Sequence, residues 1–374
     1  MTTGNSDRRS FLGTASLATL AMSGAENPGN AYAEDVTSRD IVRIGCLNVD
    51  AYSHLIGLWG PLINARKGKD DTPFTNMRIT HCWEIEYDRA KAFADLYGCE
   101  AVRNFDDMLG KVDAIISGGY YNHPWNHIIH EPYLEAGLPN LINRPFANSL
   151  EKAERIIELA KRHGAPILVP SSHELNESTS RAKQWATGKK IICYNATNSF
   201  DDYPTHGVHG VYMICKAIAE AGNPVVSVSY RTKSWYSPPG ILTYEHENAE
   251  GNRFYGTLHQ VSGSWGTVQI HTREAYGGES FPIRTGTGYP FNKTEIWAPT
   301  IWAFQRMAMY GEMPQTYDQI YHKTQVFLAG WMSVLERNGQ AVGLDEIPSD
   351  WESPVELPNH PDHDTVSLFR KRFG

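Results

Sequence analysis

Residues 112–164 read VDAIISGGYYNHPWNHIIHEPYLEAGLPNLINRPFANSLEKAERIIELAKRHG, and the way this stretch alternates decides the fold. Val112 to Ser117 is a short apolar run rich in β-branched residues, and Leu141-Ile142-Asn143 is a second. Between them a helical pattern spans PWNHIIHEPYLEAG, with Pro132 expected to kink it because proline lacks an N–H and crowds the preceding turn. Ser149 stands where it can cap the helix LEKAERIIELAKRHG, whose last residue, Gly164, suits its end. Strands this far apart cannot be joined by hairpins; they need crossovers and so lie parallel.

The same rhythm extends on both sides. Ile41 to Leu47 and Met77 to Trp83 read as strands, Asp88 to Gly98 as a capped helix, and Pro166 to Pro170 as the last strand of the unit. Beyond Pro170 the texture changes. Helices are expected from about 176 to 187 and 209 to 221, followed by alternating apolar and polar residues from Val225 to His271, as in an antiparallel sheet with one solvated face. Two long helical patterns and a Pro-rich tail close the chain. The fold class is therefore α/β: a Rossmann-like doubly wound parallel sheet over 34–170, then an α+β domain with a largely antiparallel open sheet over 171–355, and a tail over 356–374.

Ahead of residue 34 the chain carries an address. Asp7-Arg8-Arg9-Ser10-Phe11-Leu12-Gly13 is a twin-arginine pattern, an apolar stretch follows to Met22, and Ala31-Tyr32-Ala33 supplies the small residues of a cleavage site. Residues 1–33 are thus expected to direct export to the periplasm or beyond, with no membrane span. A net charge of −8, with basic residues scattered, argues against nucleic acid as a partner. Aromatics are plentiful, 19 Tyr and 10 Trp, enough to line a carbohydrate site or simply to pack loops and core. The five cysteines show no CxxC spacing; an exported chain could oxidise a pair, but the spacing selects none.

The order of elements and three segments resemble the Gfo/Idh/MocA family, the relatives of glucose-fructose oxidoreductase and inositol dehydrogenase. The segments are the quoted 112–164, THGVHGVYMICKAIAEAG, and the closing MPQTYDQIYHKTQVFLAGWMSVLERNGQAV. The resemblance implies hydride transfer between NAD or NADP and a sugar carbon. It implies a turn at Gly45 and Asn48 for the dinucleotide, Glu84 or Glu86 for a ribose hydroxyl, and a homo-oligomer.

Several positions depart from the family. Only Gly45 remains of the glycine turn, and Asp50 would set an anion beside phosphate oxygens. Arg144 stands where the family keeps a lysine, after Asn143 in place of an acid. A lysine can share its proton, whereas a guanidinium stays charged and forks onto a carboxylate, phosphate or sulfate. Arg144 therefore points to an anionic group on the substrate, or else to an ion pair at the sheet edge. His209 matches the family's histidine. With His206 three residues before it, and with His173, Glu174, Asp202 and His246 able to converge on one cleft, acid–base chemistry is expected, or a metal held by His206, His209 and His173. His127 and Tyr121 are expected to line the substrate cleft, with Tyr120, Asn122 and His123 crowding the nicotinamide slot.

Three functions remain open on the residues alone: a sugar oxidoreductase holding NAD(P), a cofactor-free or metal-assisted hydrolase or lyase acting on an acidic sugar, and a catalytically silent sugar-binding relative.

Overall fold

In the computed structural model the described residues are 41–50, 53–73, 75–199, 202–235, 239–261, 266–274, 278–283, 293–355 and 363–374. The twin-arginine segment, the cleavage site and Asp201 lie outside them.

The first half is a parallel sheet with helices on its faces. β1 (Val42–Leu47) is followed by two single-turn helices, α1 (His54–Gly57) and α2 (Gly60–Ile63). Then come β2 (Met77–Trp83), α3 (Tyr87–Tyr97), β3 (Glu100–Ala101) and β4 (Ala114–Ser117). α4 (Asn126–Ile129) and α5 (Glu131–Glu135) lead to β5 (Asn140–Ile142), α6 (Leu150–His163) and β6 (Ile167–Leu168). The strand order is β3-β2-β1-β4-β5-β6, so the direction of winding reverses between β1 and β4. In such sheets ligands bind outside the carboxyl ends of the strands at that switch point.

Local chemistry explains the elements. Ser149 Oγ accepts the Lys152 N–H at 3.3 Å, Glu151 lies in the first turn of α6, and Lys161, Arg162 and His163 lie in the last. Gly164, at φ 66°, closes that helix through a left-handed turn. Its inner stripe, Ala153, Ile156, Ile157 and Ala160, repeats at helical spacing and packs on the sheet. Pro132 does more than kink its segment: it sits in the first turn of α5, so one expected helix becomes two. Asp88 lies in the first turn of α3; the cap is Glu86, in extended conformation.

The second half begins with α7 (Glu177–Ala186) and β7 (Ile191–Ser199), then a π-helical turn at Tyr203–Gly207 entering α8 (Val208–Ala217). β8 (Val225–Thr232), β9 (Gly240–Glu247), β10 (Arg253–Val261), β11 (Gly266–Thr272) and β12 (Glu279–Pro282) follow. α9 (Lys293–Tyr310), α10 (Tyr317–Glu336), β13 (Val342–Gly343) and α11 (His363–Phe373) complete the described chain. Among the described residues this sheet runs β12-β11-β7-β10-β9-β8-β13, antiparallel except at the β7–β10 pair. The expected architecture is observed.

The closing segments depart from the expected layout. α9 returns to the first sheet, where Ala298, Ile301, Phe304 and Met307 pack with Val42, Ile79 and Leu62. The end of the chain, read as a tail, includes α11, whose Phe369 stacks on Trp125 with ring centroids 5.1 Å apart. Val366, Phe369 and Phe373 recur at helical spacing and give that helix an apolar face.

Candidate active site

Arg144 follows β5, next to the switch point, and is only 2 % exposed. Its Nε and Nη2 donate to His209 Nε2 at 3.2 and 2.9 Å, and Nη2 also reaches His54 Nε2 at 3.3 Å. The guanidinium carbon lies 4.6 Å from the Tyr120 ring centroid. Nη1 is buried and has no hydrogen-bond partner. Among the described residues no carboxylate forms an ion pair with it, which removes the sheet-edge pairing considered from the sequence.

That geometry fixes the state of His209. Accepting from a permanently protonated guanidinium requires a bare Nε2, so the proton sits on Nδ1 and is donated to Ser171 Oγ, 2.7 Å away. Burial, then the Arg144 charge, holds the imidazole well below the usual histidine range. His54 is depressed for the same two reasons. His173, ring centroid 5.1 Å from that of His209, is lowered to about 4, by burial first and Arg144 second. The result is a dry cluster of neutral imidazoles around one cation.

His206 lies at the mouth, its ring 6.3 Å from that of His209 and its side chain 43 % exposed. Asp202 faces it, with Oδ2 3.9 Å from His206 Nδ1, and Asp202 Oδ1 accepts the Thr205 N–H at 2.6 Å. Burial would raise the Asp202 carboxyl, but hydrogen bonds from His206 and Thr205 outweigh it and hold the group below its usual value. The intervening turn is π-helical, a form often found at functional sites.

The structure does not bring the remaining candidates together with this cluster. Glu174 is buried in an ion pair with Lys323, at 3.0 and 3.1 Å, and accepts from Gln315 Nε2 at 2.7 Å, so it is not free to exchange protons with a substrate. Both of its ring nitrogens tie His246 into the second sheet: Nδ1 donates to the Asn223 carbonyl at 2.7 Å and Nε2 accepts from Tyr194 Oη at 2.9 Å. The ring also stacks on Phe254, 4.9 Å away, so packing has claimed it. Glu245 and Glu247 pair with Arg253 on the solvated face. Tyr121 packs among Leu47, Trp83 and Trp125 in the core. His127 lines a separate cleft with Lys152, Glu352 and Arg370 beneath α11.

A metal at His206, His209 and His173 is disfavoured physically. The guanidinium holds the His209 lone pair and repels a cation, and among the described residues no group of three His, Cys, Asp or Glu is arranged to hold one.

A dinucleotide fits at one end of the site only. Glu84, directly after β2, is 2 % exposed; Oε1 accepts the Ile85 N–H at 2.8 Å and buried Oε2 has no partner. Burial and the neighbouring Asp50 push its carboxyl well above the usual range. An open acceptor there suits a ribose hydroxyl. Glu86, the other candidate, pairs with Arg89 at the surface. Gly45 is not in the turn: it lies within β1, where a Cβ would come within 2.8 Å of Ile115 Cδ1. Asn48 makes the turn instead, at φ 56°, a left-handed conformation that asparagine tolerates. Around it space is already taken. The His54 N–H donates to the Gly118 carbonyl at 3.1 Å, and Cβ atoms built on Gly118 and Gly119 would fall 2.0 Å from Ser53 Oγ and 2.7 Å from Asn122 Oδ1. With Asp50 buried beside it, this turn does not fit a diphosphate in the glycine-loop manner.

His54, Ser171 and Lys323 were not singled out by the sequence reading. A local signal existed for two. Ser53 caps α1 and so places His54 at its first position, and Lys323 falls on the apolar stripe Ile320, Thr324, Phe327 of α10. Ser171 carries no such mark.

Residues 58–171 match the family model GFO_IDH_MocA, described as "Oxidoreductase family, NAD-binding Rossmann fold". No curated protein sequence matches the chain. Among solved structures the fold is similar to myo-inositol dehydrogenase from Lactobacillus casei in complex with NAD(H) and myo-inositol, at 12% identity and TM-score 0.64 over 84% of this chain and 98% of that one. It is also similar to scyllo-inositol dehydrogenase from the same organism with NAD(H) and scyllo-inositol, at 13%, 0.62, 82% and 99%. An oxidoreductase from Agrobacterium radiobacter in complex with NAD+, L-tartaric acid and magnesium gives 12%, 0.60, 81% and 98%. The family model thus matches the chain from Leu58, after β1, to Ser171, just past β6, and the solved structures share the fold through both sheets.

Proposed function

We propose that the protein is an exported oxidoreductase acting on a sugar or polyol that bears an anionic group, with His209 as the base at the reacting hydroxyl and Arg144 as the anion-binding group. The observation that carries the reading is the contact of Arg144 with the neutral Nε2 of His209, beside an unpartnered Nη1. A substrate carboxylate or phosphate engaging Nη1 supplies the counter-charge that the buried guanidinium lacks. It also draws the guanidinium from His209, exposing a lone pair that can take a hydroxyl proton. Ser171 keeps the imidazole in the required tautomer, and His206 with Asp202 at the mouth passes the proton to solvent. NAD(P), held through Glu84, would supply the hydride acceptor.

The test is to recover the protein from its native host, release its small molecules, and look for a nicotinamide dinucleotide by absorbance and mass. Bound or rebinding NAD(P), with turnover of sugar acids in preference to neutral sugars, is the expected result. His209→Asn is expected to lower kcat at least ~100-fold while leaving the fold intact. Arg144→Lys improving turnover of a neutral sugar would overturn the role given to Arg144.

The crowding of the diphosphate turn favours a second reading: cofactor-free elimination or hydrolysis of an acidic sugar by the same His209 and Arg144. A preparation that neither carries nor binds NAD(P), yet cleaves such a substrate, would replace the first reading with this one.

A further inference from the structure

Val169, the first residue past the edge strand β6, has both of its backbone groups held by side chains. Its N–H donates to Gln315 Oε1 at 3.3 Å, and its carbonyl accepts from Lys323 Nζ at 2.6 Å. The same two side chains grip Glu174 further along, Gln315 Nε2 at 2.7 Å and Lys323 Nζ at 3.0 and 3.1 Å. Both ends of the segment 169–174 are thereby pinned to α10 and the residues that lead into it.

Between the pinned ends lies Ser171. Its Oγ accepts the His173 N–H at 3.2 Å and stands 2.7 Å from His209 Nδ1, while its carbonyl accepts the Leu175 N–H at 3.0 Å. Lys323 reaches the other side of that contact as well. Its Nζ lies 4.3 Å from the ring centroid of Tyr212, which follows His209 on α8 by about one turn. Ser171 and His209 stand on different elements, so their separation is set by whatever fixes the segment against α8.

We propose that Lys323, together with Gln315, is a positioning residue for the base: from inside the fold it holds Ser171 against His209 Nδ1. This role rests on the reading of His209 as the base. When His209 takes a hydroxyl proton at Nε2 the ring becomes an imidazolium, and a well-placed Ser171 Oγ accepts from its Nδ1–H and stabilises it. Lys323 touches neither the substrate nor the reacting atoms. An apolar pair of similar volume is often as stable as a buried ion pair, so what the charged pair adds is direction: one ammonium aims its donors at Val169 and Glu174 together.

The test uses the full chain, 15N-labelled at histidine, and reads solvent exchange of the His209 Nδ1 proton by NMR, with His209→Asn assigning the signal. It needs no substrate, so its result stands apart from the fate of the oxidoreductase reading. In the unsubstituted protein the proton is expected to be visible and slow to exchange. Lys323→Met/Glu174→Leu leaves no unpaired charge but releases the Val169 carbonyl, and is expected to speed that exchange ~10-fold or more. Gln315→Leu, which frees the Val169 N–H and spares the ion pair, is expected to act in the same direction and carries the test if the double variant does not fold. With a sugar acid that turns over, kcat should fall ~10–100-fold while KM stays within about twofold, and the substitutions should add nothing to Ser171→Ala, because they act through it. A His209 Nδ1 proton that exchanges equally in all variants, one too fast to be seen in the unsubstituted protein, or losses that multiply with that of Ser171→Ala would overturn the proposal.

Discussion

Arg144 is a charge in a place where burial costs several kcal/mol unless a partner offsets it. Histidines and a tyrosine ring are its neighbours, and they accept from it without neutralising it. Retaining a charge there is best explained by a ligand. Arg144→Met is therefore expected to leave the unfolding free energy unchanged or raised by about 1 kcal/mol, measured by urea denaturation, while binding of an anionic sugar is lost. Lys323 and Glu174 behave oppositely, because each is the other's counter-charge in the interior. Lys323→Met alone is expected to cost about 3–5 kcal/mol, and adding Glu174→Leu to recover most of it in the same measurement. If the double substitution is no more stable than the single, Lys323 and Glu174 are not each other's counter-charge. From the sequence, Arg144 and His209 were legible as a couple because two motifs carried them. Glu174 was misread because its partner lies 149 residues away on a helix that gives no local hint of where it docks.

Elements position these side chains through close packing. β10 crosses the second sheet next to β7 because Gly256 leaves room for the Tyr194 ring: a Cβ at 256 would stand 2.0 Å from it. Gly256→Ala is expected to displace Tyr194, break its bond to His246, and cost about 1–3 kcal/mol by thermal or urea unfolding, with the kcat of the retained protein little changed. The alternation of strands and helices in the first half was readable from apolar runs and caps, since those signals are local. The split of α4 from α5 at Pro132 and the docking of α11 on Trp125 were read less well. Both depend on what an amphipathic turn meets after folding rather than on its own pattern.

Across the whole molecule, buried neutral histidines set the response to acid. His123, His130, His173 and His246 are lowered by burial to about 4. Their free value is about 6.5, so between pH 6.5 and 4 the unfolded chain binds more protons than the native one and stability falls as pH falls. Above about pH 6.5 these groups contribute no slope. Each of the fully buried rings is expected to remove on the order of 2–3 kcal/mol by pH 4, so denaturant midpoints measured from pH 8 to 4 should be level at first and then drop steeply. His130→Gln, which has an amide to meet Asn140 but no group to charge, is expected to soften that drop.

The sequence by itself determined the fold class: the parallel sheet, the antiparallel sheet after it and the helices between them follow from periodicity and capping, which act over a few residues. It also marked Arg144 and His209 as candidates, since by resemblance the one stands where a lysine is expected and the other matches a histidine. Only the tertiary structure decided which of the many polar residues share a space. It put His54 against Arg144 across the switch point, and gave Glu174 to Lys323 and His246 to Tyr194. The physical reason is range. A strand or helix is written in its own residues, whereas the charge state and freedom of a buried side chain depend on partners that distant segments deliver.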